Sequence, residues 1–250
     1  YIHNLFQNGA ATLSGLVEMY HQRQKRGEIV QNDLTFILIT GDGGNDIGMG
    51  PTIGAALRNH KMIIFEYDNG GYMNTGYQLS YTTPYGASTS TSHVGKAQFG
   101  KSTFHKDTAQ IMAATNIPYV ATVAESDPMD FIKKVKKAQK IMKQEGLVYL
   151  KALSACPLNW GDEPSKERRV IQAAVDCCFH PLYEVDHGKT IITYDPEKKG
   201  KKIPVSEWFS MMGRTKHLTN PKYVHIVEEF QKEVDRRWER LKAKHEHPML

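Results

Sequence analysis

Apolar positions along the chain follow two rhythms. Leu5, Leu13, Leu16, Val17 and Tyr20 recur near a 3.6-residue period, predicting a helix over 4–26 that Gly27 stops. The run TFILIT (35–40) is continuously apolar and predicts a strand buried on both faces. A helix over 51–59, the strand MIIFEY (62–67), a helix near 107–115 and the strand YVATVA (119–124) follow. The next helix opens at SDPMDF, where Ser126 or Asp127 can cap, and leads to the strand LVYLKAL (147–153). Strands alternating with helices imply an α/β fold, a parallel sheet flanked by helices on both faces.

After residue 156 the pattern changes. It predicts a helix near 166–178, a short strand pair in YEVDHGKTIITY, a basic turn EKKGKK and an amphipathic helix over 221–244. We therefore expect an α/β core over 1–155 and a C-terminal helical and short-strand extension over 156–250, packed on that core. Residues 73–103 are rich in Ser, Thr, Gly and Tyr without a period. A loop that long inside a compact domain is either functional or disordered.

Charge and composition narrow the function classes. The net charge is +5, and its basic residues sit in helical segments such as FIKKVKKAQKIMKQEG and DRRWERLKAK. Solvated helix faces are expected there and no nucleic-acid partner, although a basic surface can steer an acidic protein partner. No apolar run approaches the roughly 20 residues that span a bilayer, so no membrane partner is expected. No signal peptide is visible, and the chain begins with Tyr1, so a preceding segment is expected. Cys156, Cys177 and Cys178 make no disulfide framework, which suits a cytoplasmic setting.

The segment GDGGNDIGMG (41–50) lies between a strand and a helix. It lacks the Lys-Ser/Thr of a Walker loop, and Asp46 stands where a G-x-G-x-x-G fingerprint needs glycine. A diphosphate near Asp42 would meet a like charge unless a cation intervened. Magnesium takes one or two carboxylate or carbonyl oxygens together with phosphate oxygens and water. Asn69 follows the next strand, one crossover later, and Gly70 and Gly71 let the backbone turn to offer a carbonyl. Each of Asp42 and Asn69 alone reads as a turn residue. As a pair across one β–α–β unit they read as cation ligands.

G-D-G followed by this asparagine resembles the diphosphate motif of thiamine diphosphate enzymes. The continuation YDNGGYMNTGYQLSYTTPYG, with LSACPLNW, HPLYEVDHGK and MMGRTKHL in the same order, is similar to the β, thiamine-binding subunit of the 2-oxoacid:ferredoxin oxidoreductases, pyruvate-type branch. The resemblance covers nearly the whole chain. It implies the thiamine diphosphate-binding fold, with Mg²⁺ on Asp42, Asn69 and the Gly71 carbonyl. It places Gly41, Gly43 and Gly44 against the diphosphate and Asn74 toward the thiazolium and substrate, with Tyr72, Thr75, Gly76 and Gln78 shaping that wall. It makes Cys156 one ligand of a 4Fe–4S cluster whose other three ligands lie near the β-subunit N-terminus. A cluster takes four thiolates in most cases, so three cysteines cannot hold one alone: either a preceding segment supplies the others, or no cluster is bound and Cys156 is a buried free cysteine. Cys177 and Cys178 read as packing residues, as do Trp160 and Trp238. His60, His93 and His105 lack metal-ligand spacing, with a minor role left to His93.

The resemblance further implies oxidative decarboxylation of a small 2-oxoacid, with electrons leaving through iron–sulfur clusters to ferredoxin. The carboxylate that activates the cofactor belongs to a partner, so this chain is expected to work only with a pyrimidine-site subunit and a ferredoxin-like cluster subunit. Pyruvate with coenzyme A is the family default. Here Gly70 and Gly71 replace a typical Glu–Ala pair, and Tyr77 and Leu79 also differ. Loss of a carboxylate beside the site favours a more anionic substrate, which makes oxalate a candidate. Two alternatives stand beside this: a non-redox thiamine diphosphate-dependent decarboxylase or synthase, and a non-catalytic subunit that retains the fold.

Overall fold

The computed structural model describes residues 2–30 and 33–247. In chain order the elements are α1 (Gly9–Lys25), β1 (Ile37–Gly41), α2 (Asp42–Ile47), α3 (Met49–Arg58), β2 (Ile63–Asp68), α4 (Thr108–Ala113), β3 (Tyr119–Ala124) and α5 (Pro128–Gln144). Then come β4 (Val148–Leu153), α6 (Pro157–Trp160), α7 (Glu167–Asp176), β5 (Tyr183–Asp186), β6 (Lys189–Ile192), α8 (Val205–Ser210) and α9 (Val224–Glu246). Asp127, rather than Ser126, caps α5 by accepting the Asp130 N–H at 3.1 Å. Asp107 caps α4 in the same way through Gln110 N–H.

One sheet runs β1-β2-β4-β3-β5-β6. Its first four strands are parallel, and β5 and β6 join antiparallel. The short strands beyond residue 156 therefore extend the core sheet itself, making it mixed. His187 and Gly188, both at positive φ (48° and 80°), form the two-residue hairpin turn between them.

Side chains alternate across the sheet with a period of two. Ile63, Phe65, Val148, Leu150, Tyr119 and Ala121 pack under α5. Ile64, Tyr149, Leu153 and Val120 face the larger core shared with α1, α4, α7 and α9. TFILIT is not buried on both faces as expected. It forms the edge strand β1, beyond the reach of α5, so Ile37 and Ile39 are 50% and 73% exposed. Lys134 departs from the expected solvated face of α5: it is buried, and its ammonium holds Asp130, the Thr122 carbonyl and the Thr193 hydroxyl.

The stretch 73–103 is ordered without regular elements. Lys101 pins it from inside, donating to the carbonyls of Tyr81 (3.0 Å) and Thr83 (2.7 Å). The Gly86 N–H donates to the Lys101 carbonyl and the Lys101 N–H to the Ala87 carbonyl, and a Cβ at Gly100 would stand 2.3 Å from the Gly86 carbonyl. The result carries Thr82 and Thr83, both buried, beneath the carboxyl edge of the sheet.

Candidate functional site

Parallel strands deliver their C-terminal ends to one edge, and the chemistry collects there. β1 ends at Gly41 and β2 at Asp68, so Asp42 and Asn69 emerge side by side. Asp42 is buried, and its Oδ2 accepts the Gly71 N–H at 2.8 Å and the Thr82 hydroxyl at 3.0 Å. The end of the Asn69 amide that faces them lies 3.0 Å from the Gly71 carbonyl oxygen and 3.1 Å from Asp42 Oδ1. With nitrogen there, the amide donates to both. With oxygen there, it stands from each of the other two oxygens at close to the spacing of cis ligands on an octahedral Mg²⁺, about 2.8–3.0 Å for bonds of about 2.0–2.1 Å.

The surroundings also suit a cation. Asp42 makes no ion pair among the described residues, whereas its neighbour Asp68 has Lys151 at 3.0 Å. Burial, and then the Asp68 charge, push the Asp42 carboxyl up to about 7. Burial alone would raise Asp68 as well, but the Lys151 ammonium, with the Thr82 and Gly70 donors, holds it below the usual range. Glu66, fully buried and raised by burial, sits opposite Lys151 in the β2–β4 register. The Tyr149 hydroxyl donates to Glu66 and accepts from the Asn45 amide at 2.7 Å, tying α2 to the sheet.

The glycines of the turn answer first to protein neighbours. A Cβ at Gly43 would lie 2.4 Å from Tyr72 Cδ1, and one at Gly44 would lie 2.5 Å from Thr40 Oγ1. Tyr72 therefore packs directly against the turn, and no side chain caps the first N–H groups of α2 after Gly41. Those donors and the missing side chains leave room for a diphosphate.

Asn74 stands apart from this cluster. It is exposed in the turn between Tyr72 and Gln78, which pair through Tyr72 N–H to the Gln78 carbonyl at 2.9 Å. Thr75 and Gln78 bond to each other across that turn, and Gly76 and Tyr77 take positive φ of 117° and 65°. No hydrogen bond links Asn74 to Asp42 or Asn69 among the described residues. The structure thus joins Asp42, Asn69 and Gly71 and leaves Asn74, Thr75 and Gly76 as an exposed rim, with Gln78 half-buried beside them.

Several residues escaped the sequence reading. Trp160, expected only to pack, also donates its indole N–H to the Asn69 carbonyl at 2.7 Å. Arg214 lies over the Trp160 ring at 4.4 Å, and its Nη1 donates to the Gly70 carbonyl at 3.0 Å. This guanidinium is buried, makes no ion pair among the described residues, and has an Nε without a partner. Burial lowers it to about 9. Cys156 precedes α6, the short helix that carries Trp160, and is partly exposed, while Cys177 and Cys178 are buried with thiols raised by burial. No cluster of three or more His, Cys, Asp or Glu side chains arranged for a metal occurs among the described residues. His93 is exposed, and His105 is buried far from titrating.

The chain is similar to known proteins over most of its length. The family described as "Thiamine pyrophosphate enzyme, C-terminal TPP binding domain" matches residues 23–152. The chain is 41% identical over 237 residues to the pyruvate synthase subunit PorB of Methanocaldococcus jannaschii, covering 94% of this chain and 76% of that one. The Thermotoga maritima PorB subunit is likewise 41% identical, covering 96% of this chain and 74% of its own. Among solved structures, the 2-oxoglutarate:ferredoxin oxidoreductase from Magnetococcus marinus, with 2-oxoglutarate, coenzyme A and succinyl-CoA bound, superposes with a TM-score of 0.50 at 25% identity. That likeness covers 62% of this chain and 47% of that chain. With its diphosphate-type turn, its paired strand ends and these relatives, the chain belongs to the β, thiamine diphosphate-binding subunits of the 2-oxoacid:ferredoxin oxidoreductase family, in the branch of the PorB pyruvate synthase subunits.

Proposed function

We propose that this chain binds thiamine diphosphate through Mg²⁺ held by Asp42, Asn69 and the Gly71 carbonyl, as one subunit of a complex that oxidatively decarboxylates a small 2-oxoacid. The approach of the Asn69 amide to the Gly71 carbonyl oxygen and Asp42 Oδ1, at 3.0 and 3.1 Å, supports this above all. The cofactor supplies the electron sink when bound. The chain's own residues do the positioning. Asp42 and Asn69 orient the metal, the first turn of α2 receives the diphosphate, and Asn74 with Gln78 forms the rim toward the substrate. Cys156 supplies one thiolate of a 4Fe–4S cluster whose remaining ligands lie outside the described residues. Such a cluster would supply a path for electrons toward a ferredoxin-like cluster subunit and ferredoxin. The free thiols suit a reducing cytoplasm, and no helix of the described residues is long and apolar enough to cross a membrane.

Magnesium-dependent binding of thiamine diphosphate to the purified complex, followed by calorimetry, tests the site. Asp42→Asn should abolish the magnesium dependence; unchanged binding would refute the assignment. The isolated chain with cofactor and Mg²⁺ should show no turnover, because the cofactor-activating carboxylate belongs to the pyrimidine-site subunit. Iron and sulfide in the complex, lost in part on Cys156→Ser, distinguish the redox reading from a non-redox decarboxylase.

Arg214 favours a dianionic substrate such as oxalate over pyruvate. A side chain at Gly70 would begin 3.1 Å from its Nη1, so a glutamate there would reach the guanidinium. Glycine leaves the guanidinium without a carboxylate from this turn, while the more distant charges of Asp68, Asp42 and Asp162 reach it. Reduction of a low-potential acceptor by oxalate alone, compared with pyruvate plus coenzyme A, decides this. Gly70→Glu combined with Gly71→Ala should move the preference toward pyruvate.

A further inference from the structure

Behind the thiamine site, a second cavity of about 470 Å³ opens between α4, α9 and the β3–β5 edge. None of Asp42, Asn69 or Gly71 lines it. Its lining is strongly basic. Arg236, Arg240 and Lys244 recur every fourth residue along α9, one face of one helix. Arg237 stands beside them, and Lys106 and Lys151 close the inner wall.

Part of this charge is already matched. Lys106 pairs with Asp46, Lys151 with Asp68, and Arg236 and Arg237 share Glu233. Arg240 makes no hydrogen bond or ion pair among the described residues. Lys244 meets only the neutral Gln110 amide oxygen, at 2.7 Å. Asp107 is the one acid in the lining, and it is engaged as the cap of α4. Two buried nitrogens of the wall, His105 Nδ1 and Arg237 Nη1, have no partner. His105 is more than nine-tenths buried, and burial holds its ring neutral. Buried polar groups of this kind are ordinarily satisfied, so these two are open to a partner from the cavity, a water, an ion or a ligand.

The lining also has apolar surface. Phe179, Pro181, Tyr183 and Ile111 form it, with Phe179 packed against the His105 ring at 4.5 Å. A planar ring fits against such a surface while phosphate oxygens reach the arginines, which bind phosphate through bidentate hydrogen bonds. The volume falls within the range of small-molecule sites.

We propose that this cavity binds a phosphorylated small molecule of nucleotide size, its phosphates on Arg240 and Lys244 and its ring against Phe179 and Tyr183. Because Lys106 and Lys151 also hold Asp46 and Asp68, the ligand lies one side chain away from the residues that shape the thiamine site.

The test uses the purified complex saturated with thiamine diphosphate and Mg²⁺, so that the first site is filled. ADP, adenosine and inorganic phosphate are each titrated by calorimetry. ADP should bind once per chain, phosphate should compete with it, and adenosine should bind far more weakly. Arg240→Ala with Lys244→Ala should weaken ADP by about tenfold or more while leaving basal turnover unchanged. Absence of ADP binding, equal binding by the double variant, or adenosine binding as tightly as ADP would each overturn the proposal.

Discussion

Lys151 lies inside β4, whose every residue is buried, and it is the cation on which the carboxyl edge of the sheet depends. Its ammonium is 3.0 Å from Asp68 and opposite Glu66 in the strand register. Replacing it by Met keeps the volume and removes the charge, stranding Asp68 in the interior. Breaking a buried pair from one side costs about 3–5 kcal/mol. For a chain of this size that corresponds to a fall in Tm of about 6–20 °C. Adding Asp68→Asn to Lys151→Met removes the stranded charge and keeps an oxygen for the Gly70 N–H and the Thr82 hydroxyl, which Asp68 Oδ1 accepts at 3.0 and 2.7 Å. The double variant should recover most of the loss, since replacing both partners of a buried pair is often nearly neutral. Urea denaturation of wild type, both single variants and the double variant, in metal-free buffer, gives the coupling energy. A loss below about 1 kcal/mol for Lys151→Met, or a double variant no better than the single, would refute the role assigned to this pair.

Three further outcomes follow from the same geometry. Gly43→Ala places a methyl 2.4 Å from the Tyr72 ring, so it should cost about 1–3 kcal/mol by overpacking and weaken thiamine diphosphate binding, measured by melting and by cofactor titration. Trp160→Phe removes the indole donor to the Asn69 carbonyl and should weaken the magnesium-dependent step by about tenfold, read as a shift in the Mg²⁺ midpoint. His180, buried with Nε2 on the Val123 carbonyl at 2.9 Å, is lowered to about 4 by burial. Because the unfolded chain binds that proton first, stability is retained above about 6.5 and falls toward pH 4, by about 3 kcal/mol from this group. His180→Gln should flatten that slope in urea melts between pH 6.5 and 4.5.

What could be read from the sequence, and what could not, divides along one physical line. Asp42 and Asn69 were legible together because a single β–α–β unit turns their separation in sequence into adjacent strand ends. The short strand pair in YEVDHGKTIITY and a cap at Ser126 or Asp127 were legible too, because both are local events; the turn at His187–Gly188 and the choice of Asp127 came from the structure. Asp68 and Lys151 were not legible as a pair, because their meeting depends on β4 lying beside β2 rather than beside its predecessor's far edge, an order that periodicity does not encode. One signal was present: a lysine inside the apolar run VYLKAL and a glutamate inside IIFEYD are each anomalous in a buried strand, and two such anomalies of opposite sign ask to be paired. TFILIT misled for the complementary reason, since a continuous apolar run cannot distinguish a central strand from an edge whose face α5 does not reach.

Arg214 and the glycines sharpen the point. Arg214 arrives from far along the chain, and only the packing of Trp160 against it reveals a guanidinium under Gly70. Gly43 and Gly44 look in sequence like a cradle for a ligand, yet their nearest constraints are Tyr72 and Thr40. The two explanations are coupled. The Tyr72 ring packed against Gly43 braces the first turn of α2, and a turn braced that way would present its N–H groups to a diphosphate without reorganisation. Preorganisation of this kind ties the glycine requirement to binding even though no ligand atom has to touch the missing Cβ.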